Sequence, residues 1–188
     1  MKHTRRGAIR LAGALLLSST TSPTVAFAGM HDQIEANSTA RQNAEIARRQ
    51  IEVHNRGDVV GASKFFAENT KNHGVAVGRQ GVLRVLTDIE STFPDWYMEV
   101  QDLTAIGDDV IVRGTVSGTH KGTGKIPVNG GLLVGVAPTG KTFKVQHIHW
   151  FTFVDGLIVE HRANRDDVGM MQQLGLLPPV KRYDLTQS

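Results

Sequence analysis

The 188-residue chain has no cysteine, which excludes disulfides, thiolate chemistry and attachment of a lipid to a thiol. It has no apolar run long enough to cross a bilayer, since the stretch from Leu11 to Leu17 is too short. Internal repeats and low-complexity segments are also missing. A true excess of positive charge is absent as well. Lys2, Arg5, Arg6 and Arg10 are four of the 21 basic residues, and residues 1–28 hold no acidic one. Without that segment 17 basic residues face 18 acidic ones, a formal charge of −1. The basic pI of the whole chain therefore says nothing about nucleic acid, and no Lys/Arg stripe interleaved with aromatics supports such a partner.

What is present begins with a leader. Residues 1–28 run from a charged start through an apolar stretch to Ala26-Phe27-Ala28, the order of a cleavable export signal. Thr4-Arg5-Arg6 with Ile9 and Arg10 resembles a twin-arginine address, although Ala8 stands where that motif prefers a large apolar residue. The general secretory route is the alternative. Either route implies a periplasmic or secreted protein with no membrane anchor. Residues 29–37 are expected as a mobile start, 38–180 as one domain with one core, and 181–188 as a tail.

Within the domain, Thr39-x-x-Gln42 can form a capping box, followed by Ala40, Ala44, Ala47, Ile51 and His54 on one helical face. Gly57 closes that helix. Asp58 can cap a second one carrying Val59, Ala62, Phe65 and Phe66. Val82, Leu86, Ile89 and Phe93 mark a third, stopped by Pro94. The period then falls to two, with strands around Met98–Val100 and Val110–Val116 joined at Gly107-Asp108. Residues 114–140 hold eight glycines and read as a long, partly extended loop. Phe143 to Phe153 and Leu157 to Asn164 form a hairpin about Asp155-Gly156, and Asp167 to Leu174 makes a last helical turn or two. Helices first and antiparallel strands after is an α+β pattern.

An uninterrupted hairpin with Val154 opposite Leu157 sorts the side chains. It places Phe153, Phe151, His149, His147 and Val145 on one face with Ile158, Glu160, Arg162, Asn164 and Asp166. Ile148, Trp150, Thr152 and Val154 share the other with Leu157, Val159, His161 and Ala163. Polar groups among aromatics suit a small-molecule pocket, and the apolar opposite face suits a homodimer.

Phe93-Pro94-Asp95, Gly107-Asp108, Arg113-Gly114-Thr115, Gly118-Thr119-His120, the run Asp155 to His161, Asp166 and Gln173-Leu174-Gly175 together resemble the SnoaL-like ester and polyketide cyclases. The resemblance covers roughly residues 40–177. It implies the nuclear transport factor 2-like cone, shared with ketosteroid isomerase: a strongly curved antiparallel sheet with N-terminal helices over its concave side. It further implies cofactor-independent acid/base catalysis of ring closure, with Asp166 matching the family's catalytic aspartate. The sequence departs from the family at Arg162, where a tryptophan is usual.

These readings make Asp166, His149 and His147 the candidate catalytic residues. Arg162, Asn164, Glu160, Phe151, His73, His120 and Trp96 are the candidates for contacting substrate, with His73 and His120 at the rim. Arg162 would favour an anionic substrate. Other readings compete: Asp166 as a helix cap, His147 and His149 as polar residues satisfied in the wall, and His54 as a core histidine. His-x-His could bind a metal, but no cysteine or carboxylate cluster supports it, and none is assigned. Gly135 to Thr142 matches the phosphate-loop expression, yet an alternating, strand-like segment follows where a helix is required, and Pro138 removes an amide. The expected function is an exported enzyme acting on a small, apolar, carbonyl-bearing molecule by cyclisation, isomerisation or hydrolysis. A binding or carrier protein with the same pocket is the alternative.

Overall fold

The computed structural model describes residues 23–127 and 132–179, with side chains described from Asn37 onward. The expected leader up to residue 22, part of the glycine-rich loop and the tail lie outside the described residues. The helix α1 (Pro23–Asn55) is continuous through residues 29–37, where the sequence reading places a mobile start, and Thr39 and Gln42 lie inside it. No helix among the described residues is long and apolar enough to cross a membrane.

α2 (Val59–Ser63) is short because Phe66, expected on it, begins a strand instead. Asp58 caps it as expected, its side chain accepting from Gly61 N at 2.7 Å. The strands β1 (Phe66–Asn72) and β2 (Val75–Ala76) follow, then α3 (Gly78–Thr92), which stops before Pro94. β3 (Tyr97–Ile106), β4 (Asp109–Thr119), β5 (Thr142–Val154) and β6 (Leu157–Arg165) make the rest of the sheet, and α4 (Asp167–Gln173) ends it. The six strands run in the order β2-β1-β6-β5-β4-β3. All neighbours are antiparallel except β1 and β6, which run parallel. Residues 135–141 form no helix and lead straight into β5, so the phosphate-loop match is a turn before a strand.

Curvature comes from irregular pairing. Gln101 is an extra residue in β3, because Val100 pairs with Gly114 and Asp102 with Arg113. Gly114 permits the close approach there: a Cβ would lie 2.6 Å from the Glu99 carbonyl oxygen. Such bulges bend and twist a strand. The sheet folds into an unclosed, curved wall, with α1 packed against β3 and β4, α3 against β1, and α4 against β5. Ala47 and Ile51 of α1 meet Val110, Val112, Phe151, Phe153 and Ile158 in the core. Burial of these side chains supplies the main stabilisation, about 1.5–3 kcal/mol for each large one.

The last hairpin differs from the uninterrupted ladder. Val154 pairs with Leu157 and Phe153 with Ile158, as read from the turn, but Thr152 pairs with Glu160. Val159 is the extra residue. Beyond it every partner is displaced by one, so His149 lies opposite Ala163 and His147 opposite Arg165. A shift of one residue exchanges the faces of a strand. Arg162 and Asn164 therefore sit opposite Trp150 and Ile148 on the outer face, while His161, Ala163 and Arg165 turn to the concave side. The outer face is correspondingly less apolar than an uninterrupted hairpin makes it. Trp150 and Ile148 are 42% and 45% exposed there, among polar side chains.

Candidate active site

A cavity of about 200 Å³ lies between the concave sheet face, α1, α3 and the loop after β4. Its apolar wall includes Phe66, Leu86, Phe93, Met98, Phe143 and Phe151, with Leu132 and Leu133 contributed by the loop. Trp96 lines it and stacks on His54, ring centroids 3.9 Å apart. The sheet adds His147, His149, His161 and Arg165, the strand β1 adds Lys71 and Asn72, and His73 stands just beyond them.

Three of these side chains form a directed chain. The imidazole Nδ1 of His161 lies 3.2 Å from Oδ1 of Asn72. An amide oxygen only accepts, so His161 Nδ1 carries the proton and its Nε2 is left as an acceptor. His149 Nδ1 lies 2.9 Å from that Nε2 and therefore donates to it. What remains is the Nε2 lone pair of His149, buried and without a hydrogen-bond partner among the described residues. Phe151 supports the chain, its ring 5.1 Å from His161 and 6.0 Å from His149. Parallel pairing of β1 with β6, Asn72 beside His161, brings the amide to the end of the chain.

The cavity keeps these imidazoles neutral. Burial lowers His149 to about 3, helped by the charge of Arg165, and lowers His161 well below the usual histidine value. His147 is lowered to about 3 by burial, with His149 and Arg165 adding to it, and its Nδ1 has no hydrogen-bond partner among the described residues. His54 falls to about 4 through burial. It is buried as expected, but it also lines the cavity. These rings touch the cavity yet are surrounded by protein, so loss of water decides their charge.

At the far end of β6, Arg165 Nε lies 3.9 Å from Asp167 Oδ1. Both residues line the cavity. Burial pushes the Asp167 carboxyl above the ordinary aspartate range, against the pull of Arg165.

Several expected contacts lie elsewhere. Asp166 caps α4, its carboxylate accepting from Gly169 N at 2.7 Å, and does not line the cavity. Asp166→Ala is expected to cost about 1 kcal/mol, the worth of a helix cap, and to leave turnover unchanged; thermal melts and an activity assay read the two. A loss of activity without a loss of stability would return Asp166 to the mechanism. Glu160 pairs with Arg162 at 2.8 Å and accepts from Gly74 N at 3.0 Å. Neither residue lines the cavity, and neither does Asn164, because the bulge at Val159 turns all three outward. His120 is fully buried beneath the glycine-rich loop, not at the rim. Its Nδ1 accepts from Thr139 N at 3.3 Å, and its ring packs on Phe93. His73 does line the cavity, its Nε2 accepting from Ala163 N at 3.2 Å. His147, His149, Phe151 and Trp96 also line it.

The sequence reading missed His161, Arg165, Asp167 and Asn72. His161 and Arg165 depend on an extra residue that the alternation conceals, Asp167 lies past the strand at the start of α4, and Asn72 lies on a strand too polar to read as one. Among the described residues no group of three or more His, Asp or Glu side chains is arranged to hold a metal ion.

The model of the SnoaL-like polyketide cyclase family matches residues 44–174. Aklanonic acid methyl ester cyclase AcmA of Streptomyces galilaeus is 49% identical over 45 residues, 24% of this chain and 31% of that protein. Aklanonic acid methyl ester cyclase DauD of Streptomyces sp. strain C5 is 26% identical over 138 residues, 70% of this chain and 80% of that protein. Among solved structures, IdmH of Streptomyces antibioticus is 30% identical with a TM-score of 0.58, covering 71% of this chain and 99% of its own. Matched over residues 44–174, from within α1 through the whole sheet to α4, this chain belongs to the SnoaL-like polyketide cyclases and is an enzyme of that type.

Proposed function

We propose that the protein closes a ring in a carbonyl-bearing substrate by acid/base catalysis within the concave cavity. One observation carries the reading: the Asn72–His161–His149 chain ends in an unpartnered imidazole nitrogen inside an apolar pocket. That nitrogen is oriented as a base, because the proton on His149 is committed to His161. It would remove a proton from carbon next to a carbonyl group. The resulting carbanion would attack a second carbonyl of the same molecule, and the proton would return to the new alkoxide. Arg165 supplies positive charge where negative charge develops, and Asp167 stands beside it in the cavity as the candidate to return the proton. The apolar wall excludes water that would otherwise quench the carbanion.

The names of the relatives point to aklanonic acid methyl ester as a test compound, with aklanonic acid beside it. In deuterated buffer the wild-type protein should incorporate solvent deuterium next to a carbonyl and form a ring-closed product from at least one of them, read by mass spectrometry and NMR. No exchange above the buffer rate with either would remove the reading for this substrate class. A carrier protein with the same pocket is not favoured.

Two further proposals rest on the sequence. We propose export, with removal of residues 1–28. N-terminal sequencing of protein from the host should then begin at Gly29, and an intact Met1 would overturn it. We also propose pairing of two copies through the outer sheet face, with Trp150 as its aromatic centre. Trp150→Glu is expected to yield monomers in sedimentation equilibrium with the helical signal retained. A wild-type protein that is already monomeric at micromolar concentration would contradict the pairing.

A further inference from the structure

The guanidinium of Arg165 has an edge that no described residue fills. Arg165 is the last residue of β6, lies opposite His147 on β5, and its side chain is 17% exposed. Its contact with Asp167 runs through Nε at 3.9 Å. A guanidinium has a second edge, formed by its two Nη groups, whose spacing matches the two oxygens of a carboxylate. No hydrogen bond ties those Nη groups among the described residues, although the side chain lines the cavity. Beside it, His147 lines the same cavity, and its buried Nδ1 also lacks a hydrogen-bond partner among the described residues. A cation largely removed from water with its fork unused is costly to maintain unless an anion completes it.

The other charged groups of the cavity do not fill that role. Asp88 takes the backbone amides of Lys125 and Ile126 at 3.0–3.2 Å, so its charge is spent on holding the loop. Lys71 is exposed on β1 and adds a second positive charge to the lining. A planar anion can thus be drawn past Lys71 and seated on Arg165.

We propose that the preferred substrate carries a free carboxylate, held by the Nη edge of Arg165 beside His147, where the named relatives act on a methyl ester. The inference rests on the cyclase reading and adds the chemical class of its substrate. With the carboxylate at Arg165, the rest of the molecule would share the cavity with Phe151, Trp96 and His149. A methyl ester cannot use both Nη donors as a carboxylate does, because one oxygen is alkylated and the charge is gone.

The test needs no knowledge of the natural substrate. Binding of naphthalene-2-carboxylate and of its methyl ester is measured by calorimetry on the wild-type protein. The acid is expected to bind at least about tenfold more tightly. In Arg165→Met, the acid should lose that advantage while the ester keeps its affinity. Arg165→Lys, which preserves charge but not the fork, should fall between the two, and it keeps the test sound if the methionine variant does not fold. Equal binding of acid and ester by the wild type would overturn the proposal and leave the cyclase reading in place. If neither probe binds, the cavity is not a site for aromatic carbonyl compounds, and both readings fail together. Equal loss of acid and ester in Arg165→Met would make Arg165 a structural residue and also overturn the proposal.

Discussion

Lowering the pH from 7 to 5 is expected to destabilise the folded protein by several kcal/mol, well before its carboxylates titrate. The cause is the set of imidazoles held neutral in the cavity. His54 is lowered to about 4, and His147 and His149 to about 3, against the ordinary imidazole value of 6.5. In the unfolded chain all three take up a proton as the pH falls through 6.5, whereas in the folded protein they do not until it nears those lower values. Between 6.5 and about 4 the unfolded state binds more protons, so stability is lost as pH falls and regained as it rises. Each group contributes about 2 kcal/mol over the interval from pH 7 to 5, on the order of 5 kcal/mol for the three. That is comparable with the whole stability of many domains of this size. Thermal melts at pH 7, 6 and 5 should show a steep fall in Tm. A Tm that is flat across this range would mean that the imidazoles are solvated and that the cavity is not dry.

Replacing His149 with glutamine is expected to lower turnover by about 10²–10⁴-fold, the usual contribution of a positioned base. Glutamine has a similar reach and can still bond to His161, so the chain of side chains can persist without a proton acceptor at its end. The melting temperature at pH 7 should change little, which separates this variant from one that merely damages the wall. Binding of a product analogue should also survive, placing the loss in kcat and not in KM. Undiminished turnover would take His149 out of the mechanism and leave Asp167 as the group to test next.

Much of this architecture could be read from residue order. Val82, Leu86 and Ile89 recur with helical spacing, Pro94 stops the helix, and Asp155-Gly156 turns the last hairpin as expected. The strand β1 could not be read in this way. After Phe66 and Ala67 it continues as Glu-Asn-Thr-Lys-Asn, with no alternating apolar residues, because only the two-residue β2 flanks it on its outer side and much of it stays in water. Asn72 was lost with it. Uninterrupted alternation puts His161 on the opposite face and points to Arg162 and Asp166 in place of Arg165 and Asp167. The exchanged facing of His161, Arg162 and Arg165 has one origin. Alternation predicts facing only while pairing is regular, and no local pattern around Val159 announces an extra residue.

That single residue works as a change of reading frame. Before Val159, even-numbered Ile158 points to the core; after it, odd-numbered His161, Ala163 and Arg165 point to the cavity. Two cyclases with nearly identical hairpins can therefore present different chemistry if only one carries the bulge. When roles are transferred between relatives, a gap misplaced by one position moves the catalytic assignment from the cavity to the outer surface without disturbing any conserved letter. For engineering, the same geometry separates two kinds of change. Removing Val159 would straighten the hairpin while keeping His161 and Arg165 opposite their present partners. Adding a residue beyond it would turn the pocket's polar groups to solvent and bring Arg162 and Asn164 inside.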